Sequence, residues 1–444
     1  MTDDCFAPDF KPIPYWWERT PPPADLPPAD PQAGPDDRPE PPAEADVVVI
    51  GAGYTGLNAA LQTARAGRST VVLDAEAAGF GCSTRNGGQI STSIKPGYAD
   101  LARRHGAEAA RAILSEGRNA LAWIEEFIAA EGLACDFARV GRFHAAHNAY
   151  RFRELQAAAA APPPPGLDKP PMEVVPPERV RDELGTDAYH GGVVFPQHAA
   201  LDPGAYHAGL LGAAVNAGAQ VLPHTPALSI ARDGAAHIVT TPRGAIRAGA
   251  VAIATNGYTG PFAPWHRRRV IPIGSYVIAT EPLPRDLMDR LFPTRRIVSD
   301  TRRVVYYYRP SPDGTRVLFG GRVSASETDP RVSGPKLHRE LARLFPELRE
   351  ARISHSWCGF VAYTFDTLAH TGGRDGLYYA MGYCGSGVSM ASYLGMKLGL
   401  KLLDHPEGRT GFDGIPFPTR PLYSGDPWFL AASVQLYRAL DAWR

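Results

Sequence analysis

The 444-residue chain has no run of about 18 apolar residues, so no membrane-spanning helix is expected. Neither sign of charge is in excess: 46 Lys and Arg balance 46 Asp and Glu. That removes the electrostatic case for a nucleic-acid partner. The five cysteines (5, 82, 135, 358 and 384) are odd in number and form no CxxC. They support neither a disulfide framework nor a zinc site, and no metal site is expected. Such usage fits a reducing compartment, and a cytoplasmic location is expected. MTDDCFAPDF, at the start, has neither a basic segment nor an apolar one, so no secretory leader is expected.

What is present divides the chain unevenly. Residues 1–44 are proline-rich and read as an extended arm. Tyr15, Trp16 and Trp17 lie within it and are costly to leave in water. They are expected to dock on the body, either as an anchor or as part of a substrate entrance. VVVIGAGYTGLNAALQTARAGRSTVVLDAE, from Val47 to Glu76, reads as strand, helix and strand. Helices are expected over 99–132, 150–161, 202–217 and 336–345. Short strands are expected from 219 to 259, and antiparallel sheet from 271 to 322 around the SPDG turn. The late segment GYCGSGVSMASYLGMKLGLKLLD passes from a glycine-rich loop into a helix.

Gly51, Gly53 and Gly56 form GxGxxG between a strand and a helix. The glycines permit a tight turn, close backbone approach to a pyrophosphate, and close helix–strand packing. Tyr54 and Thr55 open the helix whose free amides face the phosphates. Asp74 ends the next strand and suits a ribose hydroxyl, while its charge disfavours a 2′-phosphate. GFGCSTRNGGQIS, Gly79–Ser91, follows directly as a polar, glycine-rich loop able to wrap a large cofactor. Gly385 and Gly387 open a second helix N-terminus, suited to a developing negative charge.

With the stretches IATNGYT, LFGGRVS, WCGFVAYTFD and LYYAMGYCGSG, these motifs resemble the FAD-dependent D-amino-acid/sarcosine oxidase (DAO) superfamily. Within it, the nearest branch is that of gamma-glutamylputrescine oxidoreductase. The resemblance spans about residues 46–404. It implies an α/β (α+β) fold, with a Rossmann-like FAD-binding lobe and a substrate lobe on a mixed, largely antiparallel sheet. The FAD lobe would take 45–100, 190–262 and 352–404, and the substrate lobe 101–189 and 263–351. A tail would occupy 405–444. By position, Ser83, Arg85, Asn86, Gly87, Gly88, Thr255, Asn256, Gly385 and Gly387 become FAD contacts. The implied chemistry moves a hydride from a C–N bond to FAD, giving an imine that hydrolyses to an aldehyde or keto acid. The implied partners are a small-molecule amine and O₂ or another electron acceptor.

Departures from the family pattern shape the rest. Sarcosine oxidase-like members hold the substrate carboxylate with two basic residues. The matching positions here are Gly88 and Ser389, so an extended amine is expected rather than a small α-amino acid. An amino-acid or N-methyl-amino-acid oxidase or dehydrogenase remains the alternative, and a non-catalytic flavin-binding partner protein a third reading. The lysine that assists O₂ chemistry in some members falls at Leu318 or Phe319. Cys358 and Cys384 sit off the position of covalent attachment, so noncovalent FAD is expected. Arg322 is the candidate for an acidic group further out, or else a structural ion pair. Arg85, Arg322, Tyr276 and Trp357 complete the expected catalytic set.

Overall fold

The computed structural model describes residues 5–22, 40–324 and 327–443. Residues 23–39, the middle of the expected arm, lie outside the described residues.

Val47–Ile50 is a run of β-branched residues buried on both faces, the pattern of a strand inside a parallel sheet. The strand Glu44–Ile50 pairs in parallel with Thr70–Leu73 on one side and Gly244–Ile253 on the other. These belong to an eight-stranded sheet that also holds Gln220–Leu222, the hairpin Ser229–Asp233 and Ala236–Thr241, and the strands His370–Arg374 and Leu377–Met381. Helix Tyr54–Arg65 lies against this sheet and against helix Gly387–Leu402. Glycines set that second contact. A Cβ on Gly395 would stand 2.4 Å from the Thr55 carbonyl, and one on Gly399 would stand 2.6 Å from Gln62. Only bare backbone lets the two helices approach so closely.

A second, nine-stranded sheet runs in the order Phe6–Lys11, Ile353–Thr364, Val270–Thr280, Val317–Gly321, Tyr307–Pro310, Ile297–Asp300, Arg142–Ala145, Gly192–Phe195 and Glu173–Val175. Its pairings are antiparallel except for Phe6–Lys11 with Ile353–Thr364 and Ile297–Asp300 with Arg142–Ala145. Alternation divides its side chains. Phe143, Tyr276, Val298, Tyr308 and Phe319 enter a core shared with helix Pro330–Leu344. Arg142, His144, Ser275, Ser299 and Tyr307 point the other way, into a cavity between the sheets.

Several boundaries differ from the sequence reading. Helix Ala107–Ala130, expected in the substrate lobe, packs on Gly387–Leu402, because its Ile113, Leu121 and Ile124 join the core beneath the eight-stranded sheet. The strands Gly192–Phe195 and Ile353–Thr364, expected in the FAD lobe, hydrogen-bond within the nine-stranded sheet. The arm is not merely extended: Phe6–Lys11 forms an edge strand and Trp16–Arg19 a helical turn. Helix Pro330–Leu344 starts earlier than expected because Asp329 caps it, accepting from the Arg331 amide. No helix among the described residues is long and apolar enough to cross a membrane.

Candidate active site

The cavity encloses about 1430 Å³. That exceeds the roughly 300–1,000 Å³ of a typical small-ligand pocket, so it has room for a dinucleotide and a substrate. One end is made by the glycine turn. Gly51 has a φ of +108°, and a Cβ on Gly56 would stand 1.8 Å from the Gly51 carbonyl. Asp74 pins the turn: its carboxylate accepts from the Ala52 amide (2.8 Å) and the Glu76 amide (3.0 Å). Burial raises this carboxyl above its usual range, and the two amides oppose that rise. Both oxygens keep lone pairs for hydroxyl donors. Thr55 and Gly56 precede the first helical bond, from the Leu57 amide to the Gly53 carbonyl, so their amides have no acceptor within the helix. A bare-backbone turn, first-turn amides and a half-buried carboxylate acceptor together fit a dinucleotide.

His207 braces this end. Its Nε2 lies 2.8 Å from the Ala52 carbonyl, and its ring fills the space where Gly79 would carry a Cβ. Burial lowers its pKa to about 4.

The loop after Asp74 folds on itself. Asn86 donates to the carbonyls of Cys82 and Ser83 and accepts from the Gly88 amide. The Ser83 hydroxyl accepts from the Tyr54 amide at 3.0 Å, tying the loop to the helix start. Arg85 donates to the carbonyls of Phe80 and Cys358. Its guanidinium stands over Trp17 at 4.6 Å and Phe80 at 4.3 Å. Trp16 donates to the Asn86 carbonyl, and Trp17 to the Thr84 hydroxyl. The N-terminal aromatics therefore clamp this loop.

Gly385 and Gly387 also line the cavity, as do Thr255 and Asn256. The Asn256 side chain accepts from the Gly382 amide, and the Thr55 and Tyr383 hydroxyls lie 2.6 Å apart. The structure thus brings Gly51, Gly53, Tyr54, Thr55, Asp74, Ser83, Arg85, Asn86, Gly87, Thr255, Asn256, Gly385 and Gly387 to one cavity. Gly56 and Gly88 stand behind its wall.

The expected catalytic set does not converge. Tyr276 points to the core face: its hydroxyl donates to Glu327 and accepts from the Thr328 amide, while its neighbour Ser275 faces the cavity. Trp357 has the correct parity but lies beyond the cavity's end, buried against Tyr15 and Trp16, with its indole donating to the Arg85 carbonyl. Arg322 reaches the cavity, but its guanidinium pairs with Glu327 at 2.9 Å and donates to the Gly274 carbonyl. The ion-pair alternative describes it. Leu318 and Phe319 are buried away from the cavity.

Sequence reasoning missed Lys95, Arg142 and His144 as cavity residues. The Lys95 ammonium sits over the Tyr363 ring at 5.0 Å and is 3.9 Å from where a Gly385 Cβ would be. Tyr307 is held by the Ser275 hydroxyl at 2.8 Å. RFHA at 142–145 alternates polar with apolar, the signal of a half-buried strand that would have found the last two.

Comparison with known proteins agrees with this geometry. The profile of the family described as FAD dependent oxidoreductase (DAO) matches residues 46–399. A probable oxidoreductase OrdL of Haemophilus influenzae is 30% identical over 409 residues, 90% of this chain and 93% of that protein. The gamma-glutamylputrescine oxidoreductase of Escherichia coli is 30% identical over 84% of this chain and 86% of its own. Among solved structures, glycine oxidase from Geobacillus kaustophilus superposes with a TM-score of 0.68 at 19% identity, covering 86% of this chain and 99% of that one. L-proline dehydrogenase from P. horikoshii gives 0.65 at 18%, over 88% and 99%. The two structures share the fold.

Proposed function

The chain belongs to the DAO family of FAD-dependent oxidoreductases, and on that premise we propose that it oxidises a C–N bond of an extended amine resembling gamma-glutamylputrescine. One observation carries this choice. The two positions that hold a cationic carboxylate clamp in sarcosine oxidase-like members have no room for one. A Cβ on Gly88 would lie 2.2 Å from the Leu201 carbonyl, and Ser389 is 2% exposed within its helix. A small α-amino acid would leave its carboxylate unpartnered there.

Bound FAD supplies the two-electron acceptor. The amine carbon gives up a hydride and the nitrogen a proton. Water then adds to the imine carbon, releasing ammonia and leaving an aldehyde. The chain's own task is positioning. Tyr307 and Tyr363 offer aromatic walls to a methylene chain. Arg85 brings a positive charge to the loop that wraps the cofactor, which favours negative charge beside it. Electrons leave to O₂ or another acceptor. Noncovalent FAD is part of this reading: burial raises the thiol of Cys384 above its usual range and that of Cys358 to about 12, which disfavours a thiolate at either.

Anaerobic titration of the yellow protein with gamma-glutamylputrescine, sarcosine, glycine and D-alanine tests the reading. Bleaching of the flavin band by the first is expected. Bleaching only by the amino acids would make the protein an amino-acid oxidase or dehydrogenase. No bleaching by any amine would make it a flavin-binding partner without turnover.

A further inference from the structure

The cavity's far end holds a cation with no carboxylate partner among the described residues. Arg142 lies on a strand between Ile297–Asp300 and Gly192–Phe195, with its side chain on the cavity face. Its guanidinium stands over the Phe195 ring at 5.1 Å. One nitrogen approaches the Ser93 hydroxyl at 3.4 Å, and the buried Nε has no hydrogen-bond partner. No carboxylate among the described residues pairs with it. Two other cavity-lining arginines differ: Arg302 pairs with Asp300, and Arg322 with Glu327, while Arg303 lies over the Tyr437 ring at 5.9 Å. Burial lowers the Arg142 pKa to about 10, so it is still charged at neutral pH. His144, two residues along on the same face, is bonded to Ser299. Its pKa falls to about 3 through burial and the charge of Arg142, so it stays neutral. A half-buried cation with no carboxylate partner among the described residues is costly, and here it opens onto the cavity.

Position gives the substrate's shape. Tyr307, Ser299 and His144 form one cross-strand row. Two strand spacings sideways and two residues along place Arg142 roughly 12 Å from Tyr307, Cα to Cα. Tyr307 touches the cofactor loop at Gly87. The Ser93 carbonyl accepts from the Ser386 hydroxyl at 2.9 Å, so the wall is continuous from Arg142 to the Gly385–Gly387 turn. An extended chain of ten bonds, about 12 Å, separates the terminal amine of gamma-glutamylputrescine from its carboxylate.

We propose that Arg142, with Ser93 beside it, is the docking site for a substrate carboxylate remote from the C–N bond that is oxidised. The site makes the enzyme selective for amines that carry a terminal acid about ten bonds away. This deepens the proposed function and rests on it.

The test compares the purified holoenzyme with Arg142→Gln and Arg142→Lys by anaerobic flavin bleaching, using gamma-glutamylputrescine and N-acetylputrescine, the same amine without the acid. Arg142→Gln raises the Kd for gamma-glutamylputrescine at least about thirtyfold, as expected when one partner of a buried charge pair is removed. The limiting bleaching rate stays within about threefold, and N-acetylputrescine is unaffected. Arg142→Lys falls between. Should the Gln variant lack flavin, the Lys variant carries the same comparison. An unchanged Kd for gamma-glutamylputrescine, or an equal loss for both amines, overturns the assignment. If neither amine bleaches the wild type, the amine reading fails. Arg142 is then tested with glutarate alone: a shift of the flavin spectrum in the wild type that Arg142→Gln abolishes supports the site, and no shift in the wild type rejects it.

Discussion

The two ends of the cavity are made of different materials. At the Gly51–Gly56 end the wall is mostly main chain, held by Asp74, Ser83 and Asn86 through bonds to backbone groups. At the Arg142 end the wall is side chains projecting from a sheet. A main-chain wall tolerates little addition, because any added atom strikes other backbone. A side-chain wall can be rewritten residue by residue without disturbing the strands beneath. The first end suits a constant cofactor, and the second a variable substrate.

The largest effect that would break this contrast is at Gly56. Gly56→Val is expected to lower flavin content at least tenfold, read from the 450 to 280 nm absorbance ratio, because the Cβ alone meets the Gly51 carbonyl at 1.8 Å. A variant with full flavin content would show that the main-chain end can adapt. Next comes the clamp on the cofactor loop. Trp16→Ala, at a fully buried indole bonded to Asn86, is expected to destabilise the protein by about 3–5 kcal/mol, measured as a fall in Tm and faster flavin loss.

Acid gives a third comparison. His207 has its folded pKa lowered from 6.5 to about 4, so the unfolded chain binds more protons between those values. Its contribution is present above pH 6.5 and is lost as pH falls toward 4, to a total of up to about 3 kcal/mol. Denaturant midpoints between pH 7 and 4 measure this slope, and His207→Gln flattens it. His144, at the other end, is lowered further, to about 3. As pH falls, native His207 is therefore protonated before His144. Smallest is Tyr276→Phe, expected to cost about 1–3 kcal/mol in stability because Glu327 and Thr328 lose a partner. Its kcat stays within about twofold. A large kcat loss at unchanged stability would return Tyr276 to the catalytic set.

The same contrast explains what the sequence could reveal. The glycine turn was legible because its residues act through spacing along one short stretch: Gly51, Gly53 and Gly56 set a turn, and Asp74 follows the adjacent strand. The late glycine turn was legible by resemblance. The far end was not. Arg142 is defined by its surroundings, and those come from residues 93, 195 and 297. Tyr276 and Trp357 were misplaced for a related reason. Composition marks an aromatic residue, but strand parity turns Tyr276 inward, and the N-terminal segment covers Trp357.

The glycine seam between helices Tyr54–Arg65 and Gly387–Leu402 has a consequence for biosynthesis. The early turn emerges from the ribosome some 330 residues before the helix that must lie against it. At about 5–20 residues per second, that is a wait of roughly 20 to 70 s. Throughout that interval the nascent Rossmann unit exposes the face that Gly395 and Gly399 will later cover. The two halves of this seam are therefore distant in the order of synthesis, and their packing closes only after helix Gly387–Leu402 has been made.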